Sequence, residues 1–168
     1  MYFDDSGSRI INIGGKIPEG MDLTSGWGRP VDGLACGVAF NRTAGKLADL
    51  TFTVALKNWT PDVQMVLTCL PYQQMKIEVR DQQGRVVSQD TEYIRSQDAK
   101  LRPMKPGTYE GRRSLRPYEC GSFDGGHALK EWYTNLPPGQ YTLKLRRRAT
   151  GSDFVLTAPP VSFAVLPD

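Results

Sequence analysis

The chain is poor in groups that carry out chemistry. It has one histidine, His127, and three cysteines in 168 residues. A hydrolase of the triad kind needs a nucleophile, a base and a group that orients the base. Ser122, Asp124 and His127 are close in sequence, but a triad is assembled between elements, and one short loop does not supply it. Cys36, Cys69 and Cys120 form no C-x-x-C pair, which excludes zinc-ribbon and thioredoxin-like motifs. An odd count allows at most one internal disulfide. Cys36 and Cys69 fall in phase with apolar neighbours and read as buried thiols, and whether any two of the three pair stays open.

Other absences narrow the class further. No run approaches the roughly 20 apolar residues needed to cross a bilayer as a helix. The 21 Lys and Arg stand against 18 Asp and Glu, a net charge of +3, which does not by itself point to nucleic acid or anionic lipid. Seventeen glycines and 12 prolines are too many for a helical bundle, and they lack the period of collagen. After Met1 the chain continues Tyr2-Phe3-Asp4-Asp5, acidic where a secretory signal is basic. The expectation is an extracytoplasmic or secreted protein whose signal is not in this chain, with the cytoplasm as the alternative.

What is present is alternation. Leu34, Cys36, Val38 and Phe40 share one strand face. Leu50, Phe52, Val54 and Leu56 share another, with Thr51, Thr53, Ala55 and Lys57 pointing the other way. Asn41 to Lys46 supplies turn chemistry between them. Val63 to Leu70 is apolar on both faces, either a central strand or one running into a covered edge. Met75, Ile77 and Val79 alternate with Lys76, Glu78 and Arg80, and Asp81-Gln82-Gln83-Gly84 predicts a type I turn closed by a glycine bulge. Residues 89–113 form a long polar excursion with Pro103, Pro106 and Gly107, and a short strand near Tyr93–Ile94. Leu115 to Phe123 reads as a strand, His127 to Tyr133 as one or two helical turns, and Tyr141 to Arg146 and Val161 to Leu166 as closing strands.

Seven or eight short strands with at most one short helix specify an all-β fold. The expected form is a two-sheet antiparallel sandwich, immunoglobulin-like in the loose architectural sense. Residues 1–30 are irregular, broken by Gly14-Gly15, Pro18 and Gly26-Trp27-Gly28, and read as an N-terminal arm with one edge strand at Ile10, Ile11 and Ile13. Residues 31–168 form the single sandwich domain.

Several phrases together carry a resemblance. They are Trp27-Gly28-Arg29-Pro30-Val31-Asp32-Gly33-Leu34-Ala35-Cys36-Gly37-Val38, Phe52-Thr53-Val54-Ala55-Leu56-Lys57-Asn58, Lys76-Ile77-Glu78-Val79-Arg80-Asp81, Leu136-Pro137-Pro138-Gly139-Gln140-Tyr141-Thr142-Leu143 and Val161-Ser162-Phe163-Ala164-Val165. The series resembles bacterial β-sandwich modules, mostly of unknown function and often exported, and more remotely the bacterial intracellular proteinase inhibitor fold. The resemblance spans residues 27–166 and implies a fold rather than an activity. The 89–113 excursion departs from the usual pattern.

Glu78, Glu92, Glu110, Glu119 and Glu131 are too scattered to select a glycosidase pair. Asp81-Gln82-Gln83-Gly84 has one carboxylate where calcium wants several. Asn12-Ile13-Gly14-Gly15-Lys16 matches no phosphate loop. No cofactor and no metal site is implied, and an enzyme is not the expected class.

The candidate interaction residues are Trp27, Trp59, Arg112, Arg113, Arg116, Lys144, Arg146 and Arg148. Lys144, Arg146 and Arg148 alternate with Leu143, Leu145 and Arg147, the pattern of a solvated strand face, or of a patch for an anionic partner. Trp132 and Trp59 read first as packing, whereas Trp27, between glycines, is less constrained.

The leading expectation is a non-enzymatic binding or assembly module that acts through loops, an open sheet edge or the arm. Its partner is a protein or a second copy of itself, within an extracellular, envelope or particle assembly. The arm and the 89–113 excursion should then order against the partner. A carbohydrate-binding module stacking sugars on Trp27 or Trp59 is the alternative. Another is a proteinase inhibitor presenting Arg95, Arg102 or Arg113. Nucleic acid is not favoured, because no recognition motif accompanies the basic residues.

Overall fold

In a computed structural model of the chain, Phe52, Val54 and Leu56 point into one apolar core. Their strand, β5 (Thr51–Asn58), pairs over its whole length with β3 (Leu34–Phe40) in the antiparallel register Cys36↔Leu56 and Phe40↔Phe52. The structure describes residues 2–3, 9–12, 26–68, 71–89, 111–122, 126–151 and 153–168. The expected Tyr93–Ile94 strand, Ile13, Cys69 and the ordering of the arm and the excursion lie outside them.

The described chain is all-β, with several mainly antiparallel sheets and only single-turn helices at Pro71–Gln74, Leu47–Asp49 and Leu129–Glu131. None of these is long and apolar enough to cross a membrane. On the edge of β5 away from β3 run two short strands, β9 (Cys120–Ser122) and β10 (Gly126–Ala128). Beyond β9 lies β2 (Arg9–Asn12), in parallel, and then β1 (Tyr2–Phe3).

The second sheet is built on β11 (Gly139–Arg147). One edge pairs with β7 (Met75–Asp81), and the other with β13 (Val161–Val165) and then β12 (Leu156–Thr157). β4 (Ala44–Gly45), from the β3–β5 connection, pairs in parallel with β13. β6 (Gln64–Thr68) and β8 (Gly111–Leu115) form a separate two-stranded ribbon, tied to the rest where the Leu67 amide donates to the Ala149 carbonyl at 2.8 Å.

Alternate residues of both larger sheets meet in the core: Val38, Phe52 and Leu56 from one, Val79, Leu143, Leu145 and Phe163 from the other, with Leu129, Trp132 and Leu136 closing an end. Phe163 stands between Phe40, 4.6 Å away centroid to centroid, and Tyr141 at 5.6 Å. Each such side chain removed from water contributes about 1.5–3 kcal/mol. The Asp81 turn forms as its sequence predicts. Gly84 takes φ +75° and donates to the Asp81 carbonyl at 2.9 Å, while Asp81 Oδ1 accepts from the Gln83 and Arg85 amides.

Four expectations need correction. Among the described residues the strands number thirteen rather than seven or eight, because long segments break and change partners. Leu115–Phe123 is one such case. It divides at Pro117–Tyr118, so β8 and β9 serve different sheets. His127 is a strand residue, and only the following Leu129–Glu131 is helical, because Gly126–Ala128 pairs with Thr51–Thr53.

The last correction concerns the far face of β5, which is not solvated. Thr53, Ala55 and Lys57 are buried there, with the Trp27 ring packed against Ala39 and Ala55. That ring lies 3.4 Å from where a Gly37 Cβ would sit.

His127 projects inward against Phe52, centroid to centroid 5.2 Å. Burial, with the Arg147 charge adding to it, lowers its pKa from the ordinary 6.5 to about 4. Between those values the unfolded chain binds a proton that the folded chain refuses, so stability falls as pH drops through 6.5 toward 4. Between pH 7.5 and 5.0 the wild type should lose on the order of 2 kcal/mol more than His127→Leu, read by urea denaturation at both pH values. Equal losses would remove the histidine from the account.

Candidate functional site

Asn58 ends β5, and its carboxamide is fully buried. Its Nδ2 donates to the carbonyls of Asp62 at 2.7 Å, Arg116 at 3.0 Å and Leu115 at 3.2 Å. Its Oδ1 accepts from the Thr60 amide at 2.9 Å and the Thr60 hydroxyl at 2.7 Å, and its own amide donates to the Glu119 carbonyl at 2.9 Å. One side chain thus fastens the 59–62 segment to the turn between β8 and β9. Asparagine suits the position because it offers donors and an acceptor without a charge.

The turn is Arg116-Pro117-Tyr118-Glu119, closed by the Glu119 amide on the Arg116 carbonyl at 3.2 Å. Proline at its second position and φ +59° at Tyr118 give the type II geometry, whose third position normally needs glycine. The Glu119 carboxylate, itself buried, holds the turn by accepting the Arg116 amide at 2.8 Å, with Arg116 Nε at 3.9 Å from its other oxygen. The fold therefore holds a tyrosine in a disfavoured conformation with its ring 51% exposed.

This end of the molecule concentrates apolar exposure. Of seven large hydrophobic side chains exposed among the described residues, four come from these neighbouring segments: Trp59 at 41%, Val63 at 57%, Met65 at 45% and Tyr118. Arg113, in β8 opposite Val66, and Arg116 are also exposed here. Arg112 places its backbone opposite Leu67, and its side chain lies outside the described residues.

The remaining candidates are dispersed. Trp27 is half-buried on the far face of β5. Lys57, only 1% exposed, sets its Nζ 3.9 Å over the Trp59 ring and 5.9 Å from the Trp27 ring. Lys144 and Arg146 are exposed on the outer face of β11. Arg148 is a fastener, its Nε donating to the Gly151 carbonyl at 2.8 Å and its amide to the Gln74 carbonyl at 2.9 Å.

Arg147, in the same basic run, is 1% exposed and donates to the Arg148 carbonyl at 2.8 Å. Tyr118 and Lys57 were not singled out from sequence, and Asn58, which the Asn58-Trp59-Thr60 acceptor pattern places at a strand end near the surface, stands at that end but is fully buried. The Arg-Pro-Tyr-Glu turn was the available signal for the first, whereas the other two depend on chain segments that meet only in the fold.

The serine and histidine examined for a triad face apart. The β9 register continues Cys120↔Lys57 so that Ser122 falls on the outer face of the sheet, whereas His127↔Phe52 points inward. Among the described residues the buried Ser122 Oγ, Thr53 Oγ1 and His127 Nε2 have no hydrogen-bond partner, so no relay joins them there. Cys36 and Cys120 are both buried, and burial, opposed only by the Arg147 charge, pushes the Cys36 pKa up to about 12. A thiol so protonated is a packing group rather than a nucleophile.

Two substitutions separate fastening from contact. Asn58→Ala strands several carbonyls and an amide in a dry site, and should cost about 2–4 kcal/mol in chemical denaturation. Tyr118→Gly relieves the backbone, and should leave stability unchanged or raise it by up to about 1 kcal/mol. A destabilised Tyr118→Gly would show that the ring packs rather than presents itself.

No protein-family model matches the chain, and no curated protein matches it. Among solved structures it is similar to a conserved hypothetical protein from Bacillus anthracis, with 14% sequence identity over 73% of this chain and 72% of that one, at a TM-score of 0.23.

Proposed function

We propose that the protein is a non-enzymatic binding and assembly module whose contact surface is the end formed by residues 59–65 and 116–119. The observation that carries this reading is that exposed Trp59, Val63, Tyr118 and Arg116 lie on or next to the two segments that one buried asparagine joins, with exposed Met65 following in β6. Tryptophan, tyrosine and arginine are the residues that dominate protein interfaces, because each brings large area and a polar group at modest entropic cost. A strained, pinned turn carries its ordering cost before the partner arrives. The partner is a protein.

Two finer readings accompany this one. The two larger sheets are an immunoglobulin-like sandwich in the loose sense, supported by a single core filled from alternate residues of both. The setting is an extracellular, envelope or particle assembly, supported by the resemblance of the strand-and-turn phrases to exported bacterial modules.

A second reading, a sugar stacked on Trp59, draws on that ring's 41% exposure. It is the weaker one, because the Lys57 ammonium already lies over the ring.

A photo-crosslinking amino acid in place of Tyr118, in the full chain in its native cells, should give one discrete protein adduct. That adduct should be lost in Trp59→Ala and absent when the crosslinker replaces Gln83. Equal adducts from both positions, an adduct indifferent to Trp59→Ala, or none at all would overturn the proposal. Quenching of tryptophan fluorescence by a neutral oligosaccharide would favour the sugar reading instead.

A further inference from the structure

The outer face of the β11 sheet is a separate surface, built on different strands from the loop end. Register places Lys76, Arg146 and Thr157 side by side across β7, β11 and β12, and Glu78 beside Lys144 in the next row. Arg80, Thr142 and Ser162 form the row after that. Glu78 is committed to Arg80, whose Nε lies 2.6 Å from its Oε1. Lys76, Lys144 and Arg146 are exposed, and among the described residues none has a carboxylate within ion-pair distance.

Lys76 and Arg146 stand directly opposite each other, about 5 Å apart at Cα, an arrangement of like charges that costs stability in a sheet. A threonine in place of either would remove that cost. The Phe154 ring beneath the Lys76 Nζ, 4.5 Å from its centroid, holds the ammonium in place. Along β11 the next cation, Lys144, follows Arg146 at about 7 Å. A shallow cleft of about 360 Å³ lies among Lys76, Glu78, Lys144, Arg146 and Thr157, room for a sugar residue, with the Glu78 carboxylate paired to Arg80 at its side.

We propose that this face binds an acidic polysaccharide, a chain bearing carboxylate or sulfate groups on successive sugars. Charge complementarity selects an anion: three exposed cations stand about 5 and 7 Å apart at Cα across and along the strands, and the Glu78 carboxylate beside Lys144 is already paired to Arg80. The rest of the face selects a hydroxylated anion, because Gln140, Thr142, Thr157 and Ser162 share it and offer hydrogen bonds to sugar hydroxyls. Among the described residues of this face no aromatic ring is presented for stacking bases, since Phe154 is half-buried beneath Lys76, which disfavours single-stranded nucleic acid. The inference does not rest on the loop end, and substitutions on the two surfaces separate them.

The test uses the full chain on immobilised polygalacturonate, heparin and neutral dextran at low and high salt, with single-stranded DNA as a competitor. Retention on one or both acidic polymers, lost at high salt and absent on dextran, is the expected result, and the polymer that retains it distinguishes carboxylate from sulfate. Lys76→Glu should weaken retention about tenfold or more. The same variant should melt no lower than the wild type, because it places opposite charges across the strands. Trp59→Ala should leave retention unchanged. Retention unaffected by Lys76→Glu, no retention on either acidic polymer, or stronger binding to single-stranded DNA than to both polymers would overturn the proposal.

Discussion

β5 has almost no free side, and the rest of the structure is arranged around that fact. One edge is fully paired with β3, the other with β9 and β10, its inner face lies in the core, and its outer face is covered in part by Trp27. A strand so enclosed cannot slip by one residue without sending Phe52 and Leu56 outward and Lys57 inward, so its register is set from four directions. The position of Asn58 follows from that register. The last residue of the strand falls where two loops pass, and its carboxamide joins them. The loop end is thus an extension of the sheet rather than an ornament on it.

Much of this was legible in the residues, and the failures share a physical cause. Period two located β3, β5, β7, β11 and β13, because a half-apolar strand can hardly do otherwise. It did not reveal that the polar face of β5 is covered, since Ala55 carries no local mark of the Trp27 ring that reaches it from elsewhere. Arg147 shows the two signals in competition. Its phase with Leu143 and Leu145 pointed inward while its charge pointed outward, and the phase prevailed because backbone carbonyls were available to its guanidinium.

Pro117 divided an apparent strand, since a residue without an amide hydrogen at a turn's second position ends pairing. Of the candidate contact residues, Trp59 and Arg116 flank the bonds that Asn58 makes, Arg113 lies in β8 opposite Val66, and Lys144 and Arg146 lie on another surface. Trp27 and Arg148 entered the packing and the fastening. Loop neighbours depend on the final path of the chain, which no local pattern encodes.

Two local costs lie on exposed segments: positive φ at a tyrosine, and like charges facing across a sheet. Each would disappear on a single substitution, to glycine at one place and to a neutral residue at the other. Departures that folding alone does not require are expected where something else shapes the residue. Both departures are on the surface, neither touches the core, and they lie on elements that do not pair with each other.

The parallel contact of β13 with β4 bears on the order of assembly. Ala164 and Val165 lie against Ala44 and Gly45, about 120 residues earlier in the chain, so this seam joins segments among the most distant in sequence. β13 also brings Phe163 between Phe40 and Tyr141. During synthesis every other strand described leaves the ribosome before it, and the core must wait with an aromatic place vacant. Folding dominated by such remote pairings belongs to the slow, millisecond-to-second class, and the nascent chain spends that interval with its central apolar faces uncovered.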